Sequence, residues 1–467
     1  MSYFKKIFVN SPIWLQNLMI SLYGYQLYRK KYGAEYVKAY NKYINTDYSN
    51  VEEQNKIQFE ELKRIISYAK NYSPFYKEFY KNINIDQITC ISDITKLPIM
   101  EKEIFRKNLK NIYTVSEKEG IVSYTGGTTG KALKVIFCKN DFQKRMAYLD
   151  AFKQRVGIDP FKTTKATFSG REFTNNKISK RRNIYWRYNF FYRQKFYSTF
   201  DMVETNLPYY VEDLNKFKPR IINGFVSAIY DLATYIKRND IKLKFIPEAI
   251  FTTSETLLPL HRERIESVFM SKIFNQYASS EGAPFITECL CGNLHYNIDT
   301  GVIEVYKTNN GPEMLVTSFT SYGTPLIRYQ IGDSIRFKEG KCECGSCHPL
   351  VEAIEGRQVD YLYSKERGKV SLSHLADVIK GLPGSIKKMQ FIQDNVSNIT
   401  IKLVVDESIY NENHDEASII NEMKYRFGNN MKIRINRMDD IPNEKSGKYA
   451  LIKNTIDTPT INNEIKL

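Results

Sequence analysis

Several features common in other protein classes are missing from this chain of 467 residues. No apolar run approaches the roughly eighteen residues that a membrane-crossing helix needs, so a spanning protein is not expected. The opening MSYFKKIFVNSPIWLQNLMISLYG has its apolar run broken by Pro12, Gln16 and Asn17, and no secretory leader is read from it. Without a leader the seven cysteines are not expected to form disulfides, which moves their reading towards metal ligation. No internal repeat or low-complexity tract stands out. Two nucleotide-binding fingerprints are also absent. A G-x-x-x-x-G-K-[ST] loop would need Gly at Thr125 and Ser or Thr at Ala132, and no G-x-G-x-x-G opens a helix.

The chain is long enough for about three average domains, or one large and one small. Its 42% apolar share is that of a globular protein, and its net charge of +16 favours anionic partners. Nucleotides, CoA, nucleic acid and acidic lipids all qualify on charge alone. The segment from Ile13 to Tyr28 reads as an amphipathic helix with Arg29, Lys30 and Lys31 beside it. Such a helix packs on a larger body or lies on a membrane surface, and packing is the stronger expectation. A cytoplasmic location follows, with peripheral contact at the inner face of the membrane as its extension.

What the chain does contain is the stretch S-Y-T-G-G-T-T-G-K-A-L-K-V from Ser123 to Val135. Gly126, Gly127 and Gly130 let backbone N–H groups approach phosphate oxygens. Thr125, Thr128 and Thr129 add hydroxyl donors, and Lys131 adds a point charge. An ordinary Gly/Thr surface turn is the competing reading.

Around it, apolar positions from Val51 to about Tyr80 recur at helical spacing and are closed by Ser73-Pro74; a second helix is expected near Glu101. Leu133 to Phe137 reads as a strand and Asp141 to Val156 as a helix. Residues 171 to 199 interleave basic and aromatic side chains, a pattern suited to a lid, a substrate wall or an irregular packed insertion. It also suits single-stranded nucleic acid, although no nucleic-acid partner is expected. Beyond Ile221, short buried strands run into polar loops at Ser254-Glu255-Thr256-Leu257 and at Tyr277-Ala278-Ser279-Ser280-Glu281. Alternating strands and helices imply a mixed or parallel sheet with ligand sites at strand ends. Asp333 closes Y-G-T-P-L-I-R-Y-Q-I-G-D behind a Gly turn, where an ionised carboxylate can accept two hydrogen bonds from a ribose diol.

Taken together, these stretches resemble the adenylate-forming superfamily, and most closely its phenylacetate-CoA ligase-like branch related to capsular polysaccharide biosynthesis proteins. Five motifs occur in the family's order between residues 123 and 448: the Gly/Thr loop, Y-A-S-S-E, the Y-x-x-G-D-like element ending at Asp333, E-G-R-Q-V-D and P-N-E-K-S-G-K. Departures are Ala132-Leu133 in place of Pro-Lys, Ser254 in place of a glycine, and Val359 in place of the hinge aspartate. The resemblance implies an α/β adenylate-forming fold, with a large multi-sheet N-terminal domain over 1–358 and a small α+β lid over 359–467. It implies ATP and Mg²⁺ as cofactors, with CoA as one acceptor. Thr125 to Lys131 would hold the β- and γ-phosphates, with Thr128 contributing to catalysis. Glu281 would ligate Mg²⁺; Tyr277 and Ser254-Glu255-Thr256 would border the adenine; Asp333 would hold ribose; Arg357 would contact ribose or phosphate. Lys448 would swing in with the lid to stabilise charge at the α-phosphate.

The implied reaction activates a small-molecule carboxylate as acyl-AMP and passes it to a thiol or amine, in surface polysaccharide biosynthesis. The alternatives are an adenylyltransferase or amide ligase acting on a saccharide precursor, or a non-catalytic nucleotide-binding protein. Relatives with paired C-x5-H and C-x-C-G motifs further imply a structural Zn²⁺ on Cys289, His295, Cys342 and Cys344, with Cys291 and Cys347 as spare thiols. Neither the acid nor the oligomeric state is legible.

Overall fold

Six helices lead the chain in the computed structural model, which describes residues 3–124, 133–171, 173, 179, 181–308, 311–355, 361–371, 385–444 and 449–456. They are α1 Tyr3–Asn10, α2 Ile13–Lys31, α3 Ala34–Asn45, α4 Val51–Tyr72, α5 Pro74–Phe79 and α6 Lys102–Ile112. The run expected over 51–80 is thus two helices. Ser73 ends α4 and caps α5, accepting from Tyr76 N at 3.4 Å, and Pro74 takes the first helical position, where a missing N–H costs nothing. Leu62, Ile65, Ile66 and Ala69 form the buried stripe of α4.

Helix α2 departs from the amphipathic expectation. Its buried residues are Gln16 and Gly24, whereas Trp14, Leu18 and Leu22 are exposed. It packs through polar contacts instead: Gln16 Oε1 accepts from the buried Arg187 Nε, Asn17 Oδ1 from Tyr188 N at 3.0 Å, and Ser21 Oγ from Phe190 N at 3.0 Å.

The hairpin β1 Ile121–Tyr124 and β2 Lys134–Phe137 is antiparallel and leads into α7 Lys139–Arg155. Next comes a sheet of β3 Lys165–Ser169, β4 Trp186–Asn189, β5 Gln194–Ser198, β6 Ile221–Phe225, β7 Ala249–Thr253 and β8 Ile273–Phe274, in the order β4-β5-β3-β6-β7-β8. All neighbours are parallel except β4 and β5. Helices α8 Leu207–Phe217, α9 Val226–Arg238 and α10 Pro259–Phe269 accompany it. Ala166, Phe168, Ile222 and Ile250 pack with Leu214, Ile229 and Ile265 on one face, and Phe152 of α7 with Val156 just after it cover Ile221, Ala249 and Phe251 on the other. Within the basic and aromatic block the rings mostly pack inward: Tyr185 stacks on Tyr210 at 5.6 Å and Tyr197 on Phe168 at 4.9 Å.

A second sheet begins where the first ends, since only Asn275 separates β8 from β9 Gln276–Tyr277. With β10 Ile286–Glu288 and β11 Leu294–Tyr296 on its way, the chain forms a three-stranded sheet from β12 Gly301–Thr308, β13 Gly311–Ser318 and β14 Tyr329–Gln330. Strands β15 Ser334–Lys338 and β16 Leu350–Glu355 then complete the order β15-β16-β11-β10-β9. The C-terminal part has the hairpin β17 Tyr361–Ser364 and β18 Gly368–Ser371, then β19 Ile386–Asn395, β20 Asn398–Val405, β21 Lys432–Arg437 and β22 Ile452–Asn454 ordered β21-β20-β19-β22. Helix α11 Glu412–Phe427 buries Ile419, Met423 and Phe427 against Phe391, Ile401 and Leu403. The expected junction at 358/359 lies outside the described residues.

The segment before Asp333 lies flush on the hairpin. A Cβ at Gly323 would stand 2.4 Å from Ile136 O and 2.7 Å from Cys138 N, both backbone atoms. Gly323→Ala is therefore expected to lose about 1–3 kcal/mol of stability through overpacking, read from the urea midpoint.

Candidate nucleotide site and metal centre

Helix α7 clamps the two halves of the site. Asp141, in its first turn, is buried and accepts from Cys138 N at 3.3 Å and Gly323 N at 3.2 Å; burial pushes its carboxyl up to about 6. Thr324 Oγ1 donates to Ile136 O and accepts from Ile136 N, each at 2.8 Å. These bonds join the segment from Tyr322 to Asp333 to β2, the strand that follows the Gly/Thr loop. The loop itself, with Thr125, Gly126, Gly127, Thr128, Thr129, Gly130 and Lys131, lies outside the described residues.

One turn further along α7, Arg145 is buried and its Nη1 donates to Gly282 O at 3.0 Å, Ala283 O at 3.1 Å and Thr320 Oγ1 at 2.8 Å. Its guanidinium carbon lies 4.3 Å from the Phe285 ring centre. Burial lowers its pKa to about 10, which still leaves it charged at neutral pH. The carbonyls it binds follow Glu281 directly. Ser279 Oγ accepts from Gly282 N at 3.2 Å and Ala283 N at 3.0 Å, closing the turn that carries Glu281. Glu281 is only 3% exposed. Gly282 has φ +102°, and a Cβ there would meet the Phe137 ring at 2.8 Å, so the turn seats against β2.

Tyr277 and Asp333, 56 residues apart, meet directly: the Tyr277 hydroxyl donates to Asp333 Oδ2 at 2.7 Å. The bend at Asn275 makes this possible, because it carries the strand out of one sheet and into the next. Asn275 is held there by Glu288, whose Oε2 accepts from Asn275 N and from Arg262 Nη2, both at 2.8 Å. Beside this bend, Ser254 follows the last residue of β7 at φ +69°. That left-handed conformation favours glycine, and it stands where the family pattern has one. Glu255 is engaged elsewhere, accepting from Ser227 N at 2.7 Å and Ser227 Oγ at 3.0 Å at the N-terminal turn of α9. Thr256 lies next to it, and its backbone bonds the half-buried His261. Arg357 and Lys448 lie outside the described residues.

A second cluster sits on the other part of the five-stranded sheet. One ligand atom from each of Cys289, His295, Cys342 and Cys344 lies within 4.8 Å of the others. Cys289 Sγ and Cys342 Sγ are 3.7 Å apart, and Cys344 Sγ is 3.4 Å from His295 Nε2. His295 Nδ1 is 3.0 Å from His348 O, a contact that turns Nε2 towards the thiols. Two tight turns present the sulfurs: Gly292 N donates to Cys289 O at 3.0 Å, and Gly345 N to Cys342 O at 3.1 Å. Three sulfurs and one imidazole nitrogen match the donor set of a closed, tetrahedral zinc site. His348 is taken up by Asn297 and Gln54, and Cys291 is exposed.

The C-terminal residues 362–455 match the family model of the CapK C-terminal domain. Over 455 residues the chain is 35% identical to protein CapK of Staphylococcus aureus, covering 96% of this chain and 99% of that one. The chain belongs to the CapK family. This CapK-family chain is also 22% identical over 382 residues to phenylacetate-coenzyme A ligase of Thermus thermophilus, spanning 77% of its own length and 83% of the relative's. Its fold superposes on 2-hydroxyisobutyryl-CoA ligase in the postadenylation state, in complex with R3-HIB-AMP, with a TM-score of 0.70 at 15% identity; 88% of this chain and 91% of that one are covered. It is accordingly an adenylate-forming superfamily member of the phenylacetate-CoA ligase-like branch, with the α/β adenylate-forming fold.

Sequence reasoning passed over Asp141, Arg145 and Thr324. A signal for two of them existed in this CapK-family chain: Asp141 and Arg145 fall in line with Tyr148 and Phe152 at helical spacing, placing charge on the stripe that α7 buries. Arg145→Met would strip a charged donor from two carbonyls and Thr320. A loss of about 1.5–3 kcal/mol is expected, measured by urea unfolding.

Proposed function

We propose that this CapK-family protein uses ATP and Mg²⁺ to activate a carboxylic acid as acyl-AMP, with release of pyrophosphate, and transfers the acyl group to a thiol or an amine in surface polysaccharide biosynthesis. The observation that carries the reading is the Tyr277–Asp333 hydrogen bond of 2.7 Å, because it unites two distant motifs at one sheet junction, beside Ser254. A carboxylate there can take a ribose hydroxyl, and the Tyr277 ring offers an apolar wall to a base. Glu281, on its turn against β2, is the residue we assign to Mg²⁺, which the carboxylate chemistry suits. When bound, Mg²⁺ would offset charge on the triphosphate.

In the same proposal Thr125 to Lys131 hold the β- and γ-phosphates, Thr128 takes part in catalysis, Ser254-Glu255-Thr256 border the adenine, and Arg357 contacts ribose or phosphate. Lys448, on a lid running from residue 359 to 467, supplies positive charge as the carboxylate oxygen attacks the α-phosphorus and pyrophosphate leaves. The relatives' names support the reading: one is a phenylacetate-coenzyme A ligase and one is protein CapK. We assign the protein to the cytoplasm. The exposed Trp14, Leu18 and Leu22 of α2 are the surface through which it would touch the inner face of the membrane.

ATP–pyrophosphate exchange driven by added carboxylic acids tests the reaction. Exchange with at least one acid, abolished in Lys448→Ala while ATP binding persists, is the expected result; no exchange and no AMP release with any acid overturns it. Tyr277→Phe should raise the KM for ATP by about tenfold, the equivalent of one charge-assisted hydrogen bond of about 1.5 kcal/mol. We also propose that Cys289, His295, Cys342 and Cys344 hold a structural Zn²⁺. Elemental analysis should find one zinc per chain, and Cys342→Ser should lose the metal and lower the melting temperature; a metal-free wild-type protein would refute the site.

A further inference from the structure

The six-stranded sheet has one interior stretch that is not apolar. On the face that α7 covers, Ile221, Ala249 and Phe251 pack under Phe152, as a parallel sheet requires. Moving across the same face from β6 to β3 and β5, the parallel register places Lys165, Thr167 and Gln194 beside Asn223 of β6, all half-buried, with the buried Phe196 level with Thr167. Thr167 Oγ1 accepts from Gln194 Nε2 at 2.6 Å and lies 3.5 Å from Asn223 Nδ2. Polar side chains on the inner face of a central strand cost stability and therefore point to a ligand.

The surroundings of this face are cationic. Lys31 at the end of α2, Lys153 on α7, Lys165 on β3 and Arg171 just beyond β3 are electrostatic neighbours. They face two carboxylates that are already engaged. Asp150 accepts from Lys153 Nζ at 3.0 Å, Tyr32 OH at 3.2 Å and Tyr36 OH at 3.3 Å, and Asp159 accepts from Phe161 N at 2.8 Å and Lys162 N at 3.2 Å. Among the described residues Lys31 Nζ has rings for neighbours, Phe142 at 5.9 Å and Tyr192 at 6.0 Å, and the Arg171 guanidinium lies 3.9 Å from the Phe196 ring centre. Two hydroxyls near them, Ser169 Oγ and Tyr192 OH, are buried with no hydrogen-bond partner. Burial and mutual repulsion lower the pKa of Lys31, and that of Lys165 to about 8, a cost an anion between them would relieve.

This polar and cationic patch runs along β3 to its C-terminal end. Phe168 is level with Gly224, and Gly224 with Thr252, so Ser169 closes β3 at the same edge as the strand end that leads to Ser254, with β6 between them. We propose that this cleft binds the distal end of the carboxylate substrate, and that this end is hydroxylated and carries a second negative charge. The inference rests on the adenylation reading for its orientation and on the cleft alone for its chemistry. Ring faces of Tyr28, Tyr32 and Tyr192 suit the C–H surface of a sugar, amide and hydroxyl groups suit its oxygens, and the cations suit the acid.

Calorimetric binding without ATP tests it, using 6-phosphogluconate and glucarate as the doubly acidic ligands (the dianions, the phosphate itself carrying up to two charges), gluconate as the hydroxylated monoanion and phenylacetate as the aryl acid. At least one dianion should bind about tenfold or more tightly than gluconate and phenylacetate; which of the two does so tells a phosphate from a second carboxylate. Lys31→Met and Lys165→Met should each reduce that preference to about threefold or less, and Lys165→Arg should restore it. Dianion affinity should also fall as pH rises through about 8, where Lys165, facing Lys153 and Asp150 of α7, Lys31 of α2 and Asp159, loses its proton. Equal binding of gluconate or phenylacetate, a preference that survives both methionine variants, or no dianion binding at about 10 mM overturns the proposal. A lysine-dependent preference in a protein that shows no pyrophosphate exchange would leave the cleft in place and remove the adenylation reading.

Discussion

A single buried guanidinium holds the site region together. Arg145 reaches from α7 to the carbonyls behind Glu281 and to Thr320 at the end of β13, so three segments distant in sequence share one cation. Burying a charge is costly unless it is hydrogen-bonded, and Arg145 Nη1 finds three neutral oxygens while the guanidinium lies against the face of Phe285. The geometry is consequently stiff, because shifting any of the three segments would strand the charge. Asp141, one turn earlier, repeats the arrangement with opposite sign by accepting from Gly323 N.

The second constraint is the bend at Asn275. A strand that serves two sheets brings their edges together, and the Glu288 carboxylate, bound by Arg262 and Asn275 N, keeps the bend in place. Tyr277 becomes a neighbour of Asp333 through this join. The Cys/His cluster lies on the same five-stranded sheet, on turns beside β10, β11 and β15. A metal there would brace the sheet whose edge strand carries Tyr277, without taking part in the chemistry.

Much of the fold was legible because it rests on local rules. The break at Ser73-Pro74, the strand over Leu133–Phe137 and the helix beginning near Asp141 all follow from cap chemistry and apolar period. Helix α2 was misread for an instructive reason. Periodicity reports which residues are apolar, and the surface that α2 meets is the polar backbone and Arg187 of the β4 region, so Gln16 is buried and Trp14 is left outside. The basic and aromatic block was ambiguous in the same way. Composition cannot tell a ring packed on Tyr210 from one offered to a ligand.

By itself the sequence determined the family, the order of its motifs and the candidate ligands, because those are matters of residue type and spacing along one dimension. The left-handed turn at Ser254 shows how far spacing reaches: the position is recognisable although its glycine is gone. Only the tertiary structure decided which of these residues meet. The Tyr277–Asp333 contact, the approach of Cys289 and His295 to Cys342 and Cys344, and the cations gathered between β3, α2 and α7 all depend on strand pairing and helix packing. Those bring together side chains separated by dozens to more than a hundred residues, and no local pattern encodes such distances.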